Sequence, residues 1–368
     1  VAKFNPDGSY DTTFGDGGWA AIPGLGKSVA IQPDGKILIA GSNRIIRLTS
    51  TGGYDTSFDG DGVVVVDTTV NGTNELLYDV AVAPDGKIVY GGTDNPSYEP
   101  NVRAMIGRLN ANGTPDSTFA PNGYITPVPG AVEDLTVLPD GSIFAAGEGD
   151  VQGQNFSTTF TIKVNSNGTI AWSNPSFGTL GTRYYGVAAQ PDGKLIMVGG
   201  SSNSFIMRRF LATGSVDSTF VSPNFDGTGR SVALQPDGKI VVAFASQLPQ
   251  GGTNWKLFRC NSNGSFDPGF GSGGVVTTLI GGSATPDDVL IQPDGKILSV
   301  GWTFIFGGYS VAMVRYIGGN AAPVKPLFDY DGDGKSDISV FRPSENKWYV
   351  LRRSDEAVTQ QAFAIAGD

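Results

Sequence analysis

The chain has no histidine and a single cysteine, Cys260, among its 368 residues. Without an imidazole, His-based catalytic triads, His-ligated zinc and imidazole proton shuttles are excluded together. One thiol makes no internal disulfide, no CxxC motif and no thiolate metal cage. Charge is also scarce: 16% of residues are Asp, Glu, Lys or Arg, and 25 cations against 35 carboxylates leave a formal charge of −10. An acidic chain with no Lys/Arg cluster offers no phosphate-tracking surface, so nucleic acid is not an expected partner. No apolar run approaches the roughly 20 residues needed to cross a bilayer, and Val1-Ala2-Lys3-Phe4 does not have the layout of a signal peptide. What is abundant is glycine (53) and proline (22), beside 39% hydrophobic residues. That composition describes many tight turns around a buried core and predicts an all-β protein.

Internal repetition is the strongest signal. The phrase Gln-Pro-Asp-Gly-Lys, followed by an aliphatic run that ends in Gly, stands at Gln32 to Gly41 and again, with variations, from Pro84, Pro139, Gln190, Gln235 and Gln292. Its Asp residues, 34, 85, 140, 192, 237 and 294, are 51, 55, 52, 45 and 57 positions apart. A second phrase alternates with the first: Arg at a strand end, then Asn/Thr-x-x-Gly-Ser-x-Asp-x-x-Phe. It drifts once, at 163–177, where Ala171 stands in place of Asp. Pro sets φ in a turn, Asp bonds its own backbone and Gly accepts positive φ, so Pro-Asp-Gly between apolar runs predicts a hairpin. Runs such as Ile37-Leu38-Ile39-Ala40 are apolar at consecutive positions, the pattern of a strand covered on both faces. The first unit is expected to hold strands near 19–22, 28–32, 36–41 and 44–48. Four-stranded sheets of this size, each burying both faces against like neighbours, are the blades of a β-propeller.

The two linked phrases resemble the delta-60 repeat over about residues 1–317. That resemblance implies a propeller of the kind found in large bacterial surface or secreted proteins, with no established enzymatic activity. Residues 318–326 read as a linker. Beyond it, Asp329-Tyr330-Asp331-Gly332-Asp333-Gly334-Lys335-Ser336-Asp337 sets four carboxylates in a D-x-D-x-D-G-x-x-D loop. Hard oxygen ligands converging from one tight loop suit Ca2+, held by Asp329, Asp331, Asp333, Asp337 and the Lys335 carbonyl. Val340 occupies the place of the bidentate Glu of an EF-hand, so the loop is not one. The other reading is a solvated turn, which would leave four carboxylates repelling each other near one Lys. Residues 327–368 are similar to one FG-GAP or VCBS repeat, a propeller-blade unit with a calcium loop. Three expected strands there, near 337–341, 347–352 and 359–365, together with the strand at 1–5, predict a seventh blade. The alternative is six blades followed by a separate C-terminal unit.

Repetition separates scaffold from site, since a ring needs a structural residue in every blade and a functional one only once. Asp11, Asp55, Asp116, Asp217 and Asp267, with Phe14, Phe58, Phe119, Phe220 and Phe270, are therefore expected to be structural. So are the strand-end cations Arg47, Arg108, Lys163, Arg209, Arg259 and Arg315, and Cys260 is expected to be an inert core thiol. The variable stretches 94–103, 148–157, 247–255 and 302–309 are expected on one face. Their aromatics Tyr98, Phe156, Trp255, Trp302 and Tyr309 are candidates to stack on sugars or anchor a protein partner. Of five Asn-x-Ser/Thr sites, those at Asn112, Asn167 and Asn263 lie in repeat turns and are explained by turn chemistry. The expected function is a non-catalytic secreted or cell-surface module for adhesion, binding or structural assembly, self-assembly included. The alternative is a secreted propeller enzyme acting on glycans or lactones, for which Glu133, Asp134, Glu148 and Asp150 are the carboxylates to test.

Overall fold

The computed structural model describes residues 1–67, 75–94, 102–150, 157–177, 181–201, 204–248, 251–280, 283–305, 308–316, 338–342, 347–351 and 358–361. Among the described residues there is no helix, and the all-β expectation holds. The first sheet contains β1 (Ser28–Ile31), β2 (Ile37–Gly41), β3 (Arg44–Leu48) and β4 (Val63–Val65) in that order. The second runs β5 (Leu76–Val82), β6 (Ile88–Asp94), β7 (Arg103–Leu109) and β8 (Tyr124–Ile125). The third runs β9 (Ala131–Val137), β10 (Ile143–Asp150), β11 (Ser157–Val164) and β12 (Ile170–Phe177). A three-stranded sheet follows, β13 (Arg183–Ala189), β14 (Leu195–Ser201) and β15 (Ser204–Phe210). The fifth is β16 (Thr228–Leu234), β17 (Ile240–Gln247), β18 (Thr253–Cys260) and β19 (Val275–Thr278). The sixth begins with β20 (Ser283–Ile291), β21 (Ile297–Ile305) and β22 (Gly308–Tyr316), and continues into β23 (Ile338–Arg342), β24 (Lys347–Leu351) and β25 (Val358–Gln361). Contacts divide the chain into two compact units, Val1–Met197 with Phe210–Val216 and Val198–Arg209 with Asp217–Asp368, and the division falls within the fourth sheet.

Each unit folds locally for the reason its turns predict. Gly35 N–H donates to the Gln32 carbonyl (2.9 Å), Gln32 N–H donates to the Lys36 carbonyl (2.8 Å), and Gly35 sits at φ +83°. This is a three-residue hairpin loop with glycine at its left-handed position, and Gly86, Gly141, Gly193, Gly238 and Gly295 repeat it. Strand β2 is buried at every position. Leu38 and Ala40 pack with Ile88 and Tyr90 of the second sheet, while Ile37 and Ile39 pack on Phe14 and Ala20 on the other side. Val89, Ala104 and Ile106 likewise join Val132, Leu135 and Ala145 of the third sheet. Burying an aliphatic side chain of this size contributes roughly 1.5–3 kcal/mol, so these seams hold the blades together.

Two expectations are corrected. The favoured count of seven blades is wrong, and the protein has six. The strand at 338–342 pairs antiparallel with β22 (Val311↔Phe341, Ala312↔Val340), so the C-terminal strands extend the sixth sheet and do not found another. The edge of the N-terminal strand is already taken, because Lys3 N–H donates to the Gly18 carbonyl (2.9 Å) and Ala20 N–H to the Val1 carbonyl (2.8 Å). Short-range returns close smaller loops and cost less chain entropy than joining the two ends. The same geometry shifts the phase of the unit. Residues 19–20 pair with the N-terminal strand, and the fourth strand of the first sheet is β4, which follows the Asp-x-x-Phe turn and pairs back onto β3.

Candidate functional site

The repeated charged residues form a clasp at the turn after the third strand of the first, second, fourth and fifth sheets. Arg47 Nε donates to Asp55 Oδ2 (2.7 Å), its Nη2 donates to Ser57 Oγ (3.0 Å), and its guanidinium lies 4.5 Å from the Phe58 ring centroid. Its Nη1 donates to the Ala111 carbonyl in the next unit's turn. Arg108 repeats this with Asp116 (2.6 Å), Phe119 (4.9 Å) and the Ser166 carbonyl (2.5 Å). Arg209 does so with Asp217 (2.9 Å), Phe220 (4.7 Å) and the Ser262 carbonyl (2.6 Å). Burial pushes the Asp116 carboxyl upward. Hydrogen bonds from Lys87, the Thr118 hydroxyl and N–H, and Arg108 outweigh that and hold it well below the usual carboxylate range. Where the repeat drifts, a different donor takes over. Trp172 Nε1 donates to the Ala212 carbonyl (3.0 Å) and Asn174 Nδ2 to the Gly214 carbonyl (2.7 Å), reaching the turn that an arginine reaches elsewhere.

A second recurring device ties the first strands together. Asp79 accepts from the Ser28 hydroxyl (2.6 Å), from Val80 N–H (2.8 Å) and from Leu135 N–H (2.9 Å). Asp134 accepts from Leu135 N–H (2.9 Å) and Val187 N–H (2.6 Å), and Asp288 accepts from the Ser231 hydroxyl (2.6 Å) and Val289 N–H (2.7 Å). Burial raises the pKa of Asp79, opposed by its hydrogen bonds with Asp134, the Ser28 hydroxyl and the Leu135 and Val80 N–H groups. Just ahead of each strap the strand bulges: the register shifts between Leu77 and Asp79, between Val132 and Asp134, between Gly229 and Ser231, and between Pro286 and Asp288. The bulge explains why the aliphatic runs end in Gly. A Cβ on Gly92 would stand 2.0 Å from the Leu76 carbonyl oxygen, and one on Gly147 would stand 2.0 Å from that of Ala131.

Of the acidic residues singled out from the sequence, Asp134 is thus a strap, and Glu148 Oε2 lies 2.7 Å from Arg183 Nε. Glu133 is the bulged residue of β9. The side chain of Asp150 is outside the described residues. So are Tyr98, Phe156 and the whole calcium loop, Asp329, Asp331, Asp333, Lys335 and Asp337. Trp255 is fully buried among Leu257, Phe270 and Ile280, because β18 begins at Thr253 and carries residue 255 into the core. It has no free face for a ligand. Trp302 and Tyr309 do come together, edge-on with ring centroids 5.3 Å apart, and Phe304, which the sequence reading missed, stacks its edge on Tyr309 at 5.2 Å. Register places Trp302 opposite Val311 and Phe304 opposite Tyr309, so the four share one face of the β21–β22 hairpin. Tyr309 is 73% exposed and Val311 65%.

Five segments, residues 32–58, 83–119, 190–220, 235–270 and 292–316, match a family described as "Domain of unknown function (DUF5122) beta-propeller". The chain is a β-propeller repeat protein. The unit between the matched segments, 120–189, is the drifted one. No curated protein matches the propeller. Among solved structures, a protein from Lactobacillus plantarum is similar at 11% identity, over 91% of this chain and 86% of that one, with a TM-score of 0.51. An aldose sugar dehydrogenase from Streptomyces coelicolor in its PQQ-bound form is similar at 14% identity over 81% of this chain and 95% of that one (TM-score 0.45). A gluconolactonase from Xanthomonas campestris is similar at 14% identity over 76% and 83% (TM-score 0.42). At these identities the likeness concerns fold alone.

Proposed function

We propose that the propeller is a non-catalytic binding module, acting outside the cell or at its surface in adhesion or assembly. The observation that carries this reading is how the carboxylates are engaged. The repeated Asp residues are clasped to Arg, Asp79, Asp134 and Asp288 strap strands together, and Glu148 is neutralised by Arg183. An acid–base pair for glycan hydrolysis needs carboxyls whose environments set them apart and leave them facing a substrate, and the clasp and strap carboxyls are committed to the scaffold. The face of half-buried Trp302 and exposed Phe304 and Tyr309 offers the aromatic anchor of a binding surface. The resemblance of the linked phrases to delta-60 repeats supports the surface location. The spacing of the Asp329 to Asp337 loop supports a structural Ca2+.

A glycan array and a surface-protein capture screen, run beside turnover assays on glycans and lactones, test the reading. Binding that weakens in Tyr309→Ala supports it, and turnover that disappears in Glu148→Gln overturns it. For the loop, calorimetric Ca2+ binding lost in Asp333→Asn supports the ion, and no Ca2+ uptake by the intact chain rejects it.

A further inference from the structure

Seven positions ahead of the Asp of each Pro-Asp-Gly turn stand, in chain order, Lys27, Tyr78, Glu133, Tyr185, Arg230 and Asp287. The turn that follows is nearly invariant, yet this one position carries a different polar group in almost every unit. In the bulged strands it is the residue left out of the ladder, the placement by which a β-bulge re-aims a side chain.

Within the first compact unit the position becomes a row. The strap bonds from Ser28 to Asp79, from Leu135 to Asp79 and from Val187 to Asp134 lock β1, β5, β9 and β13 side by side. One residue on or immediately before each strand is thereby set next to the last: Lys27, Tyr78, Glu133 and Tyr185. Arg183, at the start of β13, and Glu148 of β10 join them through their 2.7 Å ion pair, with side chains 44% and 23% exposed. The Tyr78 hydroxyl titrates upward, first through burial and then through the Glu133 and Glu148 charges, with Arg183 opposing, so these groups lie within one another's fields. Four of the six, Glu133, Glu148, Arg183 and Tyr185, are in the stretch 120–189 that the family pattern leaves unmatched.

We propose that this row binds a neutral pyranose sugar. Two cations, Lys27 and Arg183, offset two carboxylates, Glu133 and Glu148, so a ligand with net charge gains no advantage over a neutral one. Carboxylates accept from paired sugar hydroxyls, the guanidinium and ammonium donate to them, and charge-assisted bonds of this kind are the strong ones. The two phenol rings supply flat apolar faces for the C–H side of the sugar, with hydroxyls at their edges. The proposal rests on the reading of the propeller as a binding module and gives that module a ligand class.

The test titrates the intact chain by calorimetry with glucose, galactose, mannose and cellotetraose, with glucuronate and glucosamine as charged counterparts. Saturable binding of at least one neutral sugar is expected, weakened about tenfold or more in Glu133→Gln and in Tyr78→Phe. Tyr78→Phe keeps the ring and removes only the hydroxyl, so it reads the site even if Glu133→Gln disturbs folding. No saturable binding of any of the neutral sugars overturns the proposal. So does a charged counterpart bound more than tenfold tighter, or a neutral sugar bound equally well by both variants. If the sugars fail while a Tyr309-dependent partner is captured, this proposal falls and the binding-module reading stands; turnover lost in Glu148→Gln defeats that reading separately.

Discussion

The clasps, on third strands and the turns after them, and the row, chiefly on first strands, belong to the same sheets and obey opposite rules. At the outer turn, Arg108, Asp116 and Phe119 recur as a set, and their bonds run to the next unit's backbone. At the inner bulge, backbone straps recur while the side chain beside each strap changes from Lys27 to Tyr78 to Glu133. The difference teaches where stability and specificity reside: a position that must join every pair of neighbours cannot vary, and a position that the bulge leaves out of the strand ladder can.

The largest test of that contrast is Arg108→Ala. It leaves Asp116, with a side chain only 3% exposed, without its guanidinium, and breaking a buried pair from one side typically costs about 3–5 kcal/mol. The urea midpoint should fall accordingly; a shift below about 1 kcal/mol would show that the clasp behaves as a surface ion pair. Next is Gly92→Ala, which forces a Cβ against the Leu76 carbonyl. Overpacking of this kind costs about 1–3 kcal/mol, and thermal melts of the variant should show it.

Acid sharpens the comparison further. The clasp carboxyl of Asp116 is held below its unfolded value, as are those of Asp55, Asp217 and Asp267. Their ionised forms therefore stabilise the fold fully above the unfolded carboxylate pKa of about 3.9, and that stability is lost as pH falls through the lower folded values. The melting temperature should be flat from neutral pH to about 5 and then drop below about 4. A steep loss already near pH 6 would assign acid sensitivity elsewhere. By contrast, Lys27→Gln and Glu133→Gln in the inner row should each change stability by less than about 1 kcal/mol, which places them outside the scaffold; a larger loss would return them to it. The smallest effect is expected at Cys260. Burial, with the nearby Asp267 charge, pushes its thiol up to about 12, so a thiol reagent at pH 8 should leave the native protein unlabelled and react once it is unfolded.

Much of this was legible in the linear chain. Pro-Asp-Gly marked the hairpin between the first two strands of each sheet because turn geometry is local, and consecutive apolar residues such as Ile37-Leu38-Ile39-Ala40 announced strands covered twice. The turn role of Asn112 also followed: its side-chain oxygen accepts from Thr114 Oγ1 at 2.8 Å. Blade count did not follow, because the partner of residues 338–342 depends on which sheet edge is open, and a strand's own residues do not name it. Trp255 was misplaced for a related reason, since a loop and the first turn of a strand look alike in sequence while burial differs completely. The inner row carried a signal that was overlooked, a fixed spacing of seven residues before an invariant Asp.

The order of residues alone determined the unit, its hairpins and its two-faced strands, because those are set by φ preferences and by apolar patterning over a few residues. Only the tertiary structure decided that Arg108 reaches Ser166, that Asp79 straps three strands, and that Tyr78, Glu133 and Arg183 lie within one another's fields. Those contacts join residues some fifty positions apart, and they form only when whole sheets are packed side by side.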